Sequence, residues 1–228
     1  MATHARAAVQ VGSLRTEVRD LPLQNRVTPF GELAALPGRG LLMGNRGVLH
    51  DEARRIVRPW QVRRWIACRT EFRGRHREVM QPRRYTELFF LDEATAFAAG
   101  HRPCAECRYA DYRSIRTLWE TCFGGPCNAD SMDRVLHAER LDRRLKRTHA
   151  ARFEALPDGA YVVLDGAAWL VWHNELLAWS DAGYVGRRDR PRRGEAEVLT
   201  PPSVVALLTA GFPVRVHPSV RGASEAEA

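Results

Sequence analysis

The sequence predicts an α+β protein: a β-rich N-terminal zinc-knuckle domain, a long connecting helix, and a small C-terminal β-meander carrying one helix. Three observations predict it. Short apolar runs bounded by Gly, Asn and Asp occur before residue 92 and again after residue 157, the pattern of strands and tight turns. Between them lie segments whose apolar residues recur at three- and four-residue spacing, the mark of helices buried along one side. A Cys-x-x-Cys pair stands where the first pattern gives way to the second.

Taken in order, residues 1–25 show no sustained period and read as a flexible arm. The domain expected over 26–130 opens with Gly40-Leu-Leu-Met43 and Gly47-Val-Leu-His50 flanking Gly44-Asn-Arg46, a composition suited to a hairpin turn. Further strands are expected at Ile56–Val57, Val62–Ala67 and Tyr85–Leu91. Asp92 is a good N-cap for a helix over Glu93–Ala99, because its carboxylate can accept an orphan backbone N–H, and Gly100 is the expected residue past its end. A second helix follows from Tyr109 to Thr121, with Tyr112, Ile115, Leu118 and Trp119 at helical spacing. After the loop Cys122–Asn128, the series Ala138, Leu141, Leu145 and Phe153 predicts one helix over 131–156, the connecting element. Arg140, Arg143, Arg144, Lys146 and Arg147 would fill its solvated faces. The small β-rich domain is expected over 157–220. Strands at Tyr161–Leu164, Trp169–Trp172 and Leu176–Trp179 form its meander, and a basic loop follows. Thr200 and Pro201 then open a helix that stops at Gly211, and Val214–Val216 returns as a strand. Residues 221–228 read as a disordered tail.

Composition narrows the function classes. Hydrophobic residues at 45% and charged residues at 27% are ordinary for a globular chain, and no apolar run approaches the ~20 residues of a bilayer span, so a membrane role is not expected. Met1–Gly12 lacks the apolar stretch of a signal peptide, and a cytoplasmic location is expected. Five cysteines, an odd number, read in a reducing compartment as metal ligands or buried thiols. A net charge of +8 and a pI near 9.8 point to a polyanionic partner. Every basic side chain except Lys146 is arginine, a bias that genome composition alone can produce. The distribution is more telling, because between Ala53 and Arg84 eleven arginines stand against only Glu71 and Glu78. Nucleic acid, DNA rather than RNA, is the expected partner.

The chemistry lies in Tyr85–Arg108. Its ending, Arg102-Pro-Cys-Ala-Glu-Cys107, has the spacing that lets two thiolates take adjacent corners of a zinc tetrahedron. An aromatic strand, an N-capped short helix and a Gly stop precede it. This arrangement resembles the second half of the zinc-binding module of Ada-type DNA repair proteins, whose pattern Phe89, Phe90, Ala99, Gly100, Arg102, Pro103, Cys104 and Cys107 match in order. The resemblance covers residues 85–108 only. It implies two further cysteines upstream, separated by three residues, where this chain offers only Cys68. Cys68 and His76 are the best available upstream ligands, with His101 the alternative for the fourth position. In the family a zinc-held upstream thiolate takes a methyl group from a DNA phosphotriester. With one upstream cysteine, Cys68 is read instead as a structural ligand.

The expected function is therefore a zinc-binding protein acting on or binding DNA in repair, restriction or modification. Arg69, Arg73, Arg75, Arg77, Arg102 and Arg108 are the arginines expected to meet phosphate. Two alternatives stand beside it. One is a non-enzymatic, zinc-stabilised nucleic-acid-binding or regulatory protein. The other is a zinc-dependent nucleoside or base deaminase, for which His137-Ala-Glu139 and Pro103–Cys107 supply the pieces in reversed order. Glu87 alternates with Tyr85 and Phe89 and is read as exposed or arginine-paired, a place beside the knuckle being the alternative. Cys122 and Cys127 read as packed or free thiols.

Overall fold

The computed structural model describes residues 21–74 and 78–225, and over these the chain is α+β, mostly strands with four α-helices. Most of the expected arm, the residues Arg75, His76 and Arg77, and the end of the expected tail lie outside the described residues.

The first sheet contains β1 (Gln24–Val27), β2 (Leu33–Ala35), β3 (Leu42–Asn45), β4 (Ile66–Arg69), β5 (Leu88–Phe90) and β6 (Arg102–Pro103), in the order β2-β1-β5-β3-β4-β6. The expected hairpin at Gly44-Asn-Arg46 does not form. β3 runs through Gly44 and pairs with β4 on one side and β5 on the other. A Cβ on Gly44 would stand 2.2 Å from the Ile66 carbonyl oxygen and 2.7 Å from the Phe90 ring, so glycine serves here to let two neighbours close on a central strand. Of the strand expected at Ile56–Val57, a single bridge between His50 and Ile56 remains.

Three helices follow: α1 (Glu93–Ala98), α2 (Tyr109–Phe123) and α3 (Ala129–Arg140). α1 has the expected cap, the Asp92 carboxylate accepting from the Thr95 N–H, and Gly100 past its end at φ +84°. All six residues of α1 are buried, and their small size decides its role. Ala94 and Ala98 pack with Tyr161, Leu170 and Leu199 of the second half, and Ala96 packs with Val27, Leu88 and Phe90 of the first sheet. Phe97 enters a third cluster with Ile115, Met132, Leu136 and Leu207. A helix this short and this alanine-rich lets neighbours approach from every side. The core thus runs across the boundary expected between 26–130 and 157–220.

The helix expected over 131–156 ends at Arg140. Leu141 is already extended, and a tight hairpin follows, β7 (Leu141–Asp142) paired with β8 (Leu145–Lys146), its turn carrying Arg143 at φ +56°. β9 (His149–Arg152) then joins the second sheet. The apolar series misled because Leu145, counted on the buried stripe, is 75% exposed. Strand pairing overrides helical spacing here and buries Phe153 beyond β9.

The second sheet adds β10 (Tyr161–Leu164), β11 (Ala167–Trp172), β12 (Glu175–Ser180), β13 (Gly183–Asp189), β14 (Glu195–Val198) and β15 (Ser224–Glu225), ordered β15-β13-β12-β11-β10-β14-β9. The meander β10-β11-β12 is the one expected. Its continuation is not, since Arg187 and Arg188 lie in β13 rather than a loop. The last helix, α4 (Pro202–Thr209), starts one residue later than read, with Pro201 rather than Thr200 at its N-cap because the Thr200 hydroxyl accepts from the Tyr161 N–H instead, and Val214–Val216 forms no strand. Trp169 and Trp172, at odd spacing, pack into different clusters, so both faces of this sheet are covered.

Two adjacent carboxylates fasten the halves. Besides capping α1, Asp92 accepts from the Thr95 hydroxyl (2.8 Å), the Tyr184 hydroxyl (2.7 Å) and the His217 N–H (2.9 Å), and it is 1% exposed. Glu93 takes the buried Arg108 guanidinium and the Arg215 N–H, while its own N–H donates to the Arg215 carbonyl. Asp92→Ala removes the cap and strands two buried donors, and is expected to cost about 3–5 kcal/mol in denaturant unfolding. Asp92→Asn, which keeps the cap but turns an amide toward the His217 N–H, is expected to fall between the two. A loss below about 1 kcal/mol in the alanine variant would remove Asp92 from this role.

Candidate metal centre

Strand pairing brings the distant cysteine to the knuckle. β4 and β6 run parallel with Ile66 opposite Arg102 and Ala67 opposite Pro103, and the pairing continues as the Cys104 N–H donates to the Ala67 carbonyl (2.9 Å). Cys68, the next residue of β4, therefore stands beside Cys104. The chain then turns back, with the Glu106 N–H on Cys104 Sγ (3.4 Å) and the Arg108 N–H on the Cys104 carbonyl (3.1 Å), which sets Cys107 at the entry to α2. The three Sγ atoms lie within 4.8 Å of one another. Thiolates sharing one tetrahedral zinc would stand about 3.8 Å apart, so a small tightening seats the ion.

The thiols already share charge unevenly. Hydrogen bonds from the Cys107 and Cys68 thiols, helped by the Cys107 and Glu106 amides, pull Cys104 down to about 2, making it the thiolate of the group. Hydrogen bonding to Cys104, with burial added, pushes the Cys68 thiol up, and Cys107 is raised by its own hydrogen bond to Cys104. The donor set, soft and partly deprotonated, fits zinc.

A cavity of about 470 Å³ opens on the thiols, its wall completed by Asn45, Arg69, Phe72, Val79, Tyr85 and Glu87. Glu87 is not exposed, and among the described residues no arginine pairs with it. It is 4% exposed beside the knuckle, and its Oε2 accepts from the Met80 N–H (2.7 Å).

The other expected ligands part ways. His76 lies outside the described residues, in the segment between Phe72 and Val79. His101 is not at the cluster. It is fully buried against Trp65 and Phe90, and its Nε2 accepts from Arg46 Nε (3.2 Å). His137 does not join the thiols either, standing edge-on to Trp60 with its Nδ1 3.0 Å from Arg140 Nη2, so the deaminase ligand set is not assembled among the described residues. Cys122 is exposed, and Cys127 packs with Met132 and Leu136.

The arginines expected at phosphate divide by burial. Arg69 and Arg73 are exposed, Arg69 on the cavity wall and Arg73 with its guanidinium carbon 4.9 Å from the Phe72 ring. Arg75 and Arg77 lie outside the described residues. Arg102 and Arg108, however, are each 2% exposed and turned inward. Arg102 makes a two-pronged pair with Asp133 (2.9 and 2.7 Å), and Arg108 joins Glu93 and Asp111, so neither reaches a phosphate. Part of the remaining patch is neutralised as well, since Arg55 pairs with Asp51 and Arg83 with Glu52, acids just outside the run that was counted. Sequence reasoning missed the interior cations Arg46 and Arg140, which stack on Trp65. The one signal for that region was a single lysine, Lys146, among basic residues that are otherwise all arginine.

No family model, curated protein or solved structure matches this chain.

With Cys104 a thiolate and Cys68 and Cys107 protonated in the metal-free state, one divalent ion entering the site displaces about two protons. Apparent zinc affinity is therefore expected to rise with pH, by about two decades per unit below the thiols' own range, as read by competition with a chromophoric chelator. Cys104→Ser is expected to abolish binding and Cys122→Ser to leave it intact. A flat pH profile, or full zinc occupancy in the Cys104 variant, contradicts the assignment.

Proposed function

We propose that this chain is a zinc-binding protein that acts on or binds DNA, with Cys68, Cys104 and Cys107 holding the metal. The observation that carries the metal part is the convergence of three thiols from β4 and the knuckle within 4.8 Å. Zinc bound there would clamp β4 to the start of α2 and contribute folding free energy. Three thiolates leave the centre with a net negative charge, which weakens its pull on a bound water and favours a clamping role. Cys68 serves as a ligand rather than a methyl acceptor, because consuming it would dismantle a set with no spare thiol among the described residues.

Support for DNA comes from charge and from the resemblance at residues 85–108. The net charge is +8, and Arg63, Arg64, Arg69 and Arg73 remain exposed after the interior pairs are taken away. Clustered guanidinium groups gain affinity for a phosphate chain by releasing its counterions.

Glu87 favours a second reading, in which the protein acts on DNA as well as binding it. Its carboxyl lines the same cavity as the thiols, and a carboxylate is a common proton acceptor for a group bound in such a site. His76 is the rival claim on that position, as the ligand that closes the site.

Binding to duplex DNA is expected to fall steeply with salt, and replacing Arg69, Arg73, Arg75 and Arg77 with alanine is expected to flatten the slope of log K against log salt by about one per lost contact. An unchanged slope places the DNA contacts elsewhere. After incubation with methylphosphotriester DNA, mass spectrometry is expected to find Cys68 unmodified; a one-methyl gain on it overturns its role as a ligand. Cobalt-substituted protein separates the two uses of the fourth position. A shift of the cobalt d–d bands in His76→Ala marks histidine as the fourth ligand and a closed site, and unchanged bands leave that position to a bound group beside Glu87.

A further inference from the structure

A second cavity, of about 660 Å³, lies away from the thiols, and no residue lines both. Five cations line it, of which Arg58 and Arg144 are exposed and Arg46, Arg140 and Lys146 are turned inward. Arg46 and Arg140 are each 1% exposed, with guanidinium carbons 3.9 Å from the Trp65 ring, and Lys146, the single lysine of the chain, reaches the same wall and donates to the Ala98 carbonyl. None of the three has an ion pair among the described residues, and Glu32, exposed at the rim, is the only carboxylate on the described lining. Arg102 and Arg108, equally buried, both have carboxylate partners. The contrast matters because a guanidinium taken out of water without a counter-ion is costly to bury.

The hydrogen bonding is incomplete in the same place. Arg46 donates from Nε to His101 and from Nη1 to the Gly31 carbonyl (2.8 Å), and Arg140 donates to the Gly100 (2.8 Å) and Arg63 (2.6 Å) carbonyls. Arg46 Nη2 and Arg140 Nε remain buried with no acceptor among the described residues. Burial and repulsion from Arg46 and Arg140 draw Lys146 down to about 7, and burial lowers Arg140 to about 9 against a partly offsetting attraction to Asp133. Gly100 is bound to this arrangement, since a Cβ there would stand 2.5 Å from Arg140 Cδ.

We infer that this cavity is a binding site for a phosphate-bearing ligand of nucleotide size, with Arg46, Arg140 and Lys146 on the phosphate and Trp60 beside the ligand's flat apolar part. Three cations exceed what a single carboxylate would neutralise, whereas a phosphate monoester brings nearly two negative charges and acceptors suited to guanidinium donors. Phe30, Leu33, Ile56 and Trp60 supply the apolar wall, and the volume falls within the ~300–1,000 Å³ of small-ligand sites. A free nucleotide and the 5′-terminal nucleotide of a strand share this chemistry.

Titration calorimetry on the full chain tests the inference with adenosine 5′-monophosphate, inorganic phosphate and adenosine as probes. The monophosphate is expected to bind more tightly than inorganic phosphate, and adenosine not to bind. Lys146→Met and Arg46→Gln are each expected to weaken the monophosphate by about tenfold or more. Lys146→Met removes a half-buried charge and keeps the apolar stem, so the inference stays testable if the Arg46 variant fails to fold. Displacement of the monophosphate by a 5′-phosphorylated oligonucleotide but not by its 5′-hydroxyl form identifies a strand end as the natural source; displacement by neither identifies the free nucleotide. No binding of monophosphate or phosphate at millimolar concentration, or equal affinity in Lys146→Met and the unaltered protein, overturns the site.

Discussion

The carboxylate of Asp92 is the constraint on which the rest of the molecule depends. It begins α1, and four donors from three stretches of chain meet on it: the Thr95 N–H and hydroxyl, the Tyr184 hydroxyl of β13 and the His217 N–H. Burial holds the Tyr184 and Tyr161 phenols well above their ordinary range, so they stay neutral donors at this point. Glu93 repeats the device one residue on with Arg108 and Arg215. α1 is thereby fixed against the second sheet while Ala96 packs it on the first, and the residues leaving it, Gly100 to Cys104, inherit that position. The register of β6 on β4, and with it the meeting of Cys104 and Cys68, is set from this end.

The interior also explains why the arginine content is a poor guide to surface chemistry. Arg46, Arg108 and Arg140 are among the largest fully buried side chains of the protein, and Arg102 is buried nearly as deeply. Two of the four are pinned by carboxylates and act as cross-links, Arg102 from β6 to α3 and Arg108 from the start of α2 to α1. The other two stack on Trp65 and lack such partners. A guanidinium next to the knuckle and a guanidinium in a cavity thus do different work, although the sequence writes both with the same letter.

Local signals were legible where local physics decides. The Asp92 cap, the Gly100 stop, the start of α4 to within one residue and the meander β10-β11-β12 could all be read from neighbouring residues. So could the Cys-x-x-Cys spacing and the choice of Cys68 as its companion. What escaped was set by partners far along the chain. Gly44 reads as a turn residue until β4 and β5 close on it from both sides. Arg102 and Arg108 look available to phosphate until Asp133 and Glu93 arrive from elsewhere. Leu145 fits a helical stripe until the hairpin β7-β8 turns it outward. Glu87 gave no sign of its burial, because the Met80 N–H that it accepts lies across a loop.

The single lysine carries a consequence for labelling chemistry. Lys146 and the N-terminal amine are the only primary amines in the sequence, and with its ammonium drawn down to about 7 Lys146 gives up its proton more readily than an ordinary lysine. An acylating reagent aimed at amines therefore has two targets, one of them on the wall of the cationic cavity. Whatever fills that cavity shields that target, which makes the extent of acylation there a direct gauge of the cavity's occupancy, readable without knowing the occupant.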